Sequence, residues 1–219
     1  MSTASLRLRE ADRDHLVAGA AALGVELSPS AASGLARFAD VLDVWAPKVN
    51  LLSCRSAREL VERHFLDSLA LGSALPDGLI ADLGSGAGFP GIPLAVQKPE
   101  QTFVLVEARR RRASFLREVR RTLDLRNVEV LEQRAEDPPE KYVGAAAAVV
   151  SRATWSDDSF VQISRAWLTP GARIFWMRSD RLTTVPTGFL RTETLRYRIG
   201  EHRPRCVEVL ATLGVPRET

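Results

Sequence analysis

The chain has 219 residues, 45% of them apolar, and a net charge of +3 from 30 basic and 27 acidic side chains. That apolar fraction excludes wholesale disorder, and the length suits one large α/β domain. No apolar run approaches the roughly 18–20 residues that span a bilayer, and the opening "MSTASLRLREADRDHLV" has no apolar secretory core, so a soluble, cytoplasmic protein with no membrane association is expected.

In chain order, the first helix signal is Ser28 followed by Pro29, an N-cap and first-turn pair. Leu35, Phe38, Leu42 and Trp45 then recur at three- and four-residue steps, and Pro47 marks the stop. A second helix is predicted over 57–75, with Leu60, Val61, His64, Phe65 and Leu69 near one side. The character changes near Pro76–Gly78. Short apolar runs follow at 79–83, 102–108, 128–133, 146–151 and 173–178, alternating with helical stretches such as "RRASFLREVRRTLDL". The only low-complexity stretch is "GAAAAVV" at 144–150. Alternation of this kind predicts a mainly parallel sheet with helices on both faces. "ETLRYRIG" and "CVEVLATL" add an antiparallel pair at the sheet edge. The expected organisation is a helical N-terminal extension, 1–76, joined to an α/β core, 77–219, in one structural unit.

Cys54 and Cys206 lie far apart, as do His15, His64 and His202, so neither a disulfide framework nor a zinc site has its spacing and no metal is expected. Of the 30 basic residues only Lys48, Lys98 and Lys141 are lysines. A GC-rich genome explains the arginine excess. So does a nucleic-acid partner, because guanidinium pairs bidentately with phosphate.

The stretch "ADLGSGAGFPGIPL", 81–94, follows the first clear strand. In a doubly wound sheet, ligands sit outside the carboxyl ends of the strands. Read from Gly86, "GAGFPG" matches the dinucleotide pattern G-x-G-x-x-G. Read from Asp82, "DLGSGAG" is the acid-x-G-x-G-x-G loop of S-adenosylmethionine enzymes. Three details favour the second. The strand runs directly into Gly84. Asp82 stands where a carboxylate organises the loop or reaches the amino-acid end of the ligand. Pro90 and Pro93 fall where a dinucleotide-binding helix needs free N–H groups. Glu107, ending the next strand, is placed for a ribose hydroxyl pair.

With those residues in hand, the chain resembles the bacterial small-subunit rRNA methyltransferases once called glucose-inhibited division protein B. The resemblance rests on "NLLS" (50–53), "ERHFLDSLAL" (62–71), "ADLGSGAGFPGIPLAV" (81–96), "RRRASFLREV" (110–119), "NVEVLEQRAED" (127–137) and "SRA" (151–153), in family order over about residues 27–180. It implies a Rossmann-like S-adenosylmethionine-dependent methyltransferase fold and N7-methylation of a guanine in 16S rRNA, with S-adenosylhomocysteine as product. The expected partner is 16S rRNA or a small-subunit precursor, and the expected state is a monomer.

Carried over by motif, Asp82, Gly84, Gly86, Gly88 and Phe89 border the cofactor, as do Ala135 and Glu136 on the adenine side, while Glu107 takes the ribose. Arg152 faces the methyl-transfer site, and His64 and Asp67 resemble family residues near the cofactor mouth. With Arg152, His64 and Asp67 are the candidate catalytic residues, although a histidine on an apolar helix face is more often a core or capping residue. Arg109, Arg110, Arg111 and Arg112 form either a solvated helix start or an RNA phosphate contact, which Arg117, Arg120 and Arg121 would extend. Trp155 reads as a base-stacking residue or as core.

The chain departs from the family at Trp45-Ala46, where a Trp-Asn pair is usual, at "NLLS" in place of an Asn-Leu-Thr run, and at "WMRSDR", where a Lys-Gly pair is usual. Arg178 keeps the positive charge of that last segment with different geometry. These departures leave open a divergent paralogue acting on a small molecule or protein, or a non-catalytic cofactor-binding module.

Overall fold

The computed structural model describes residues 5–49, 51–152, 157–178, 182, 184–202 and 204–212. Seven strands form one sheet in the order β3-β2-β1-β4-β5-β7-β6. They are β1 (Ile80–Leu83), β2 (Phe103–Val106), β3 (Val128–Leu131), β4 (Ala146–Ser151), β5 (Leu168–Arg178), β6 (Phe189–Tyr197) and β7 (Arg205–Thr212). The first five run parallel, β7 is antiparallel to β5, and β6 is antiparallel to β7. This is the predicted mainly parallel sheet with its antiparallel edge. β1 and β2 are buried along their whole length, as strands covered on both faces must be. β5 starts five residues before the apolar run read from the sequence, because Thr169–Gly171 still belongs to the strand.

Helix α1 (Glu10–Ala22) was not signalled by the sequence. Its inward face is thin, with Leu16 and Ala20 buried among charged neighbours. Helix α2 (Pro29–Trp45) begins where expected: the Ser28 side chain accepts from the Ala31 N–H at 3.1 Å, and Pro29 costs no hydrogen bond at the first turn. The helix predicted over 57–75 is shorter and irregular. It comprises α3 (Ala57–Leu60), a π-helical turn (Val61–Phe65) and α4 (Leu66–Leu69). Beyond the sheet's first strand come α5 (Gly91–Gln97), α6 (Arg110–Leu123) and α7 (Asp157–Trp167).

The N-terminal helices pack on the face of the sheet that also carries α5 and α6. Phe38 of α2 is fully buried and lies 5.8 Å from Phe65, 5.3 Å from Phe89 and 6.4 Å from Phe115, centroid to centroid. Burying each such ring contributes about 1.5–3 kcal/mol, which holds the glycine loop, through Phe89, against α2 and the π-helical turn. α7 covers the opposite face, where Phe160 meets Trp176 at 4.7 Å. Glu62 ties α1 to the β6–β7 connection: it bonds His15 at 2.9 Å and His202 at 2.8 Å. Among the described residues no helix is long and apolar enough to cross a membrane.

Candidate active site

The strand order reverses between β1 and β4, so the crevice at their carboxyl ends is where a ligand is expected. Ser151 ties the two strands there, its hydroxyl donating to the Leu83 carbonyl at 2.8 Å. On one side of the crevice runs the glycine loop, and on the other stands Arg152.

The loop turns first at Gly84 (φ 77°), with the Gly84 N–H donating to the Val106 carbonyl at 2.9 Å. Gly86 (φ 57°) also holds the left-handed conformation, which costs other residues roughly 1–2 kcal/mol. Its N–H donates to Glu107 Oε2 at 3.0 Å, and a Cβ there would meet nothing nearer than 3.8 Å. Gly86 therefore leaves open a space that a side chain would fill. Gly88 does not line that space. A Cβ on it would come within 2.7 Å of Ile92 and 3.3 Å of Phe38, so it is glycine for core packing.

Of the two roles read for Asp82, the geometry shows the first, organising the loop. The carboxylate is fully buried beneath the loop, where its Oδ2 accepts from the Gly91 N–H at 2.9 Å. Burial raises its carboxyl to about 7. Asp82 organises the loop and borders neither neighbouring cavity. Glu107 does face the crevice. It is 6% exposed, with Oε2 on Gly86 and Oε1 accepting from the Arg109 N–H at 2.7 Å. A carboxylate has about four acceptor sites, so this one is oriented and still able to accept from a ligand.

Arg152 is held from behind. Its Nη1 donates to the Arg63 carbonyl at 2.9 Å and to Asp67 Oδ2 at 3.3 Å, and Nη2 donates to His64 Nδ1 at 2.6 Å. The guanidinium also lies 5.1 Å from the Phe89 ring centre, a cation–π distance. Accepting at Nδ1 requires neutral His64, and burial together with Arg152, Arg63 and Arg205 lowers its pKa to about 2. Asp67 is 1% exposed and borders neither cavity, lying behind Arg152. It also accepts from the Tyr197 hydroxyl at 2.7 Å and lies 3.3 Å from Arg205 Nε. Asp67 is thus a positioning residue that acts through Arg152. Tyr197 and Arg205 are the partners that sequence reading missed.

A cavity of about 560 Å³ occupies the crevice, bounded by Gly84, Glu107, Arg112, Ala135, Glu136 and Arg152. Next to it is one of about 260 Å³, which His64, Gly86 and Phe89 border together with Gly84 and Arg152. The candidate RNA arginines divide. Arg109, Arg110 and Arg111 are exposed around the start of α6, and Arg109 and Arg112 border the larger cavity. Arg117 pairs with Glu132 at 2.7 Å, Arg120 donates to the Val128 carbonyl, and Arg121 pairs with Glu118, so each also has a contact within the fold. Arg178 lies 4.4 Å over the Trp176 ring. Asn50, Ala153, Trp155 and Ser179 lie outside the described residues. Among the described residues, no cluster of His, Cys, Asp and Glu is arranged to hold a metal ion.

The sequence model of the GidB family, rRNA small subunit methyltransferase G, matches residues 31–189. The chain belongs to this family. It is 36% identical over 173 residues to the ribosomal RNA small subunit methyltransferase G of Xanthomonas oryzae pv. oryzae, covering 76% of this chain and 80% of that one. With the enzyme of the same name from Desulfotalea psychrophila it shares 36% identity over 171 residues, 77% of this chain and 79% of the relative. In fold it matches the crystal structure of P. horikoshii TYW2 in complex with MeSAdo, with a TM-score of 0.50 at 17% identity over 62% of this chain and 57% of that one.

As a member of the methyltransferase G family, the protein is an S-adenosylmethionine-dependent methyltransferase with the Rossmann-like fold. The residues present fit that cofactor. The larger cavity falls within the ~300–1,000 Å³ of small-molecule sites; it carries an oriented carboxylate at Glu107, and the loop beside it leaves Gly86 open.

Proposed function

We propose that this enzyme methylates N7 of a guanine in 16S rRNA, acting as a cytoplasmic monomer on the RNA or on a small-subunit precursor. The observation that carries the reading is Arg152 facing Gly84 across the switch point, with both residues bounding the cofactor-sized cavity and the smaller one beside it. Gly84, Gly86 and Phe89 would border the cofactor's methyl-bearing side, Glu107 would accept from the ribose hydroxyls, and Ala135 and Glu136 would border the adenine. When bound, S-adenosylmethionine supplies a methyl on a positively charged sulfur; the S–C bond breaks as the N7–C bond forms, and S-adenosylhomocysteine is left.

The protein's own residues then have a limited task. Guanine N7 carries a lone pair and no proton, so no base is needed to remove one. Neutral, weakly basic His64 is consistent with that. Arg152 is fixed by Asp67, the Arg63 carbonyl and His64, so it holds its place without reorganising when the acceptor arrives. Catalysis on this reading is alignment, with charge placed beforehand.

The test is incubation with methyl-labelled S-adenosylmethionine and small-subunit RNA from a strain lacking the family enzyme. Label is expected at one guanine, sensitive to the strand scission that follows N7-methylation. Cofactor binding with no label in RNA rejects the reading.

A further inference from the structure

The proposed reaction leaves unassigned a run of the chain just before α3, Leu51–Arg55. Leu51, Leu52 and Ser53 border the cavity of about 260 Å³ that shares Gly84 and Arg152 with the cofactor cavity. Leu52, Ser53 and Arg63 are in turn shared with a third opening of about 490 Å³, which also touches Cys54, Arg55 and Glu59. The three compartments have common walls in sequence: cofactor, middle, outer.

Their chemistry changes along that line. The middle compartment is smaller than the ~300–1,000 Å³ of cofactor-sized sites, so it takes a fragment the size of one base. Its walls suit a flat ring. Leu51 is buried, and the Phe89 ring, 4% exposed and packed by Phe38, Phe65 and His64, carries the Arg152 guanidinium, whose partly exposed plane is the surface offered to a base. Aromatic rings and guanidinium planes are the surfaces on which unstacked bases lie. The outer compartment carries two arginines. Arg55 is exposed, and it is its backbone N–H, not its side chain, that bonds Glu59 at 2.8 Å. The Arg63 side chain is 46% exposed, and its pair with Glu59 runs through Nη1, leaving other donors of its fork. Guanidinium groups beside a base-sized slot match the phosphate of the nucleotide in that slot.

We propose that Leu51–Arg55 together with Arg63 form the acceptor-nucleotide site, with the guanine in the middle compartment against Arg152 and its backbone phosphate in the outer one between Arg55 and Arg63. This rests on the RNA methyltransferase reading. It assigns the acceptor to the side of the crevice opposite the arginine run that opens α6, whose Arg109 and Arg112 border the cofactor cavity.

Two sets of variants test it, both at exposed positions that do not touch the cofactor cavity. The double variant Arg55→Ala/Arg63→Ala is expected to keep its S-adenosylhomocysteine affinity by calorimetry, and to lower the slope of log affinity for small-subunit RNA against log salt by roughly 1 to 2. Arg55→Lys/Arg63→Lys should restore the slope, since lysine neutralises phosphate as a point charge. Ser53→Trp plugs the passage between middle and outer compartments. It should lower kcat/KM for RNA by on the order of a hundredfold, as a misplaced acceptor does. Loss of S-adenosylhomocysteine affinity in Ser53→Trp would place its effect in the fold, and the arginine pair then decides. If wild-type enzyme methylates the RNA while the arginine pair leaves salt slope and KM unchanged, the acceptor site is elsewhere and the methyltransferase reading stands. If wild-type enzyme binds cofactor and labels no RNA, that reading itself fails.

Discussion

Arg152 Nη1 lies 3.3 Å from Asp67 Oδ2, a carboxylate 85 residues earlier in the chain that is 1% exposed. That contact fixes the side chain at the junction of the cavities. Asp67 also receives Arg205 and the Tyr197 hydroxyl from the antiparallel edge of the sheet. Burial and the neighbouring Asp67 push the Tyr197 hydroxyl upward, so it stays protonated and donates. The far edge of the sheet thereby sets the position of a residue at its switch point.

Removing the charge at this hub should be costly in two ways. Asp67→Asn leaves Arg152 and Arg205 facing a neutral group in a buried setting, and breaking such a pair costs about 3–5 kcal/mol when both partners are well buried. Arg152 and Arg205 keep 22% and 31% exposure of their side chains, so the lower end, about 3 kcal/mol, is expected in chemical denaturation. Methyl transfer should fall more than S-adenosylhomocysteine binding, because Asp67 does not border the cofactor cavity. Equal losses in both would place its role in the fold alone.

Glu107→Ala removes an oriented acceptor from the cofactor cavity and leaves the Gly86 and Arg109 N–H groups without their partner. A hydrogen bond to a charged group contributes about 1.5–3 kcal/mol, so S-adenosylhomocysteine should bind roughly 10- to 100-fold more weakly by calorimetry. Unchanged affinity would mean that Glu107 serves only the loop.

His64 and Asp82 pull the pH profile of stability in opposite directions. Burial and the surrounding arginines hold His64 at about 2, below its ordinary 6.5, so the unfolded chain takes up that proton first. Its contribution is complete above pH 6.5 and is lost as pH falls toward 2. Burial raises Asp82 from 3.8 to about 7, so the folded chain keeps a proton that the unfolded chain has released. That contribution is complete below pH 3.8 and is lost as pH rises through 7. Denaturation across pH should show His64→Gln flattening the acid limb and Asp82→Asn flattening the decline between those two values. The reverse assignment of slopes would contradict the burial argument.

Arg110 and Arg111 are exposed at the start of α6, and neither borders the cofactor cavity. Arg110→Ala/Arg111→Ala is expected to weaken RNA binding at low salt with about the same loss for all sequences, and to leave S-adenosylhomocysteine affinity unchanged. Filter binding over a salt series reads this out. Identical curves for variant and wild type would make the run plain solvated surface.

The parts of the fold that were legible in the chain are those governed by local rules. Apolar runs bounded by breakers located the five parallel strands, since a strand buried on both faces needs a short continuous apolar stretch, whereas β6, mostly unburied, starts at Phe189, four residues before the segment read for it. Ser28-Pro29 located the start of α2 because capping acts within one turn. The glycine spacing and Glu107 marked the crevice because a tight turn and a strand-end carboxylate are sequence-near requirements. α1 was not legible, because small residues such as Ala20 and Gly19 give little periodic contrast until something packs on them; Leu66 does. The early start of β5 was hidden by Pro170 and Gly171, which read as a turn when the neighbouring strand is unknown.

The site divides along the same line. By itself the sequence determined the cofactor class, the crevice and the family, because loop geometry and strand-end chemistry are written in adjacent residues. Only the tertiary structure decided which of those residues face the crevice. It turned Gly88 and Asp82 inward, made Asp67 a support for Arg152, and brought Tyr197 to it across 130 residues of chain. It also placed Leu51–Arg55 beside the glycine loop. The reason is physical: a buried charge is tolerated only where several donors converge on it, and that convergence comes from elements distant in sequence packing together.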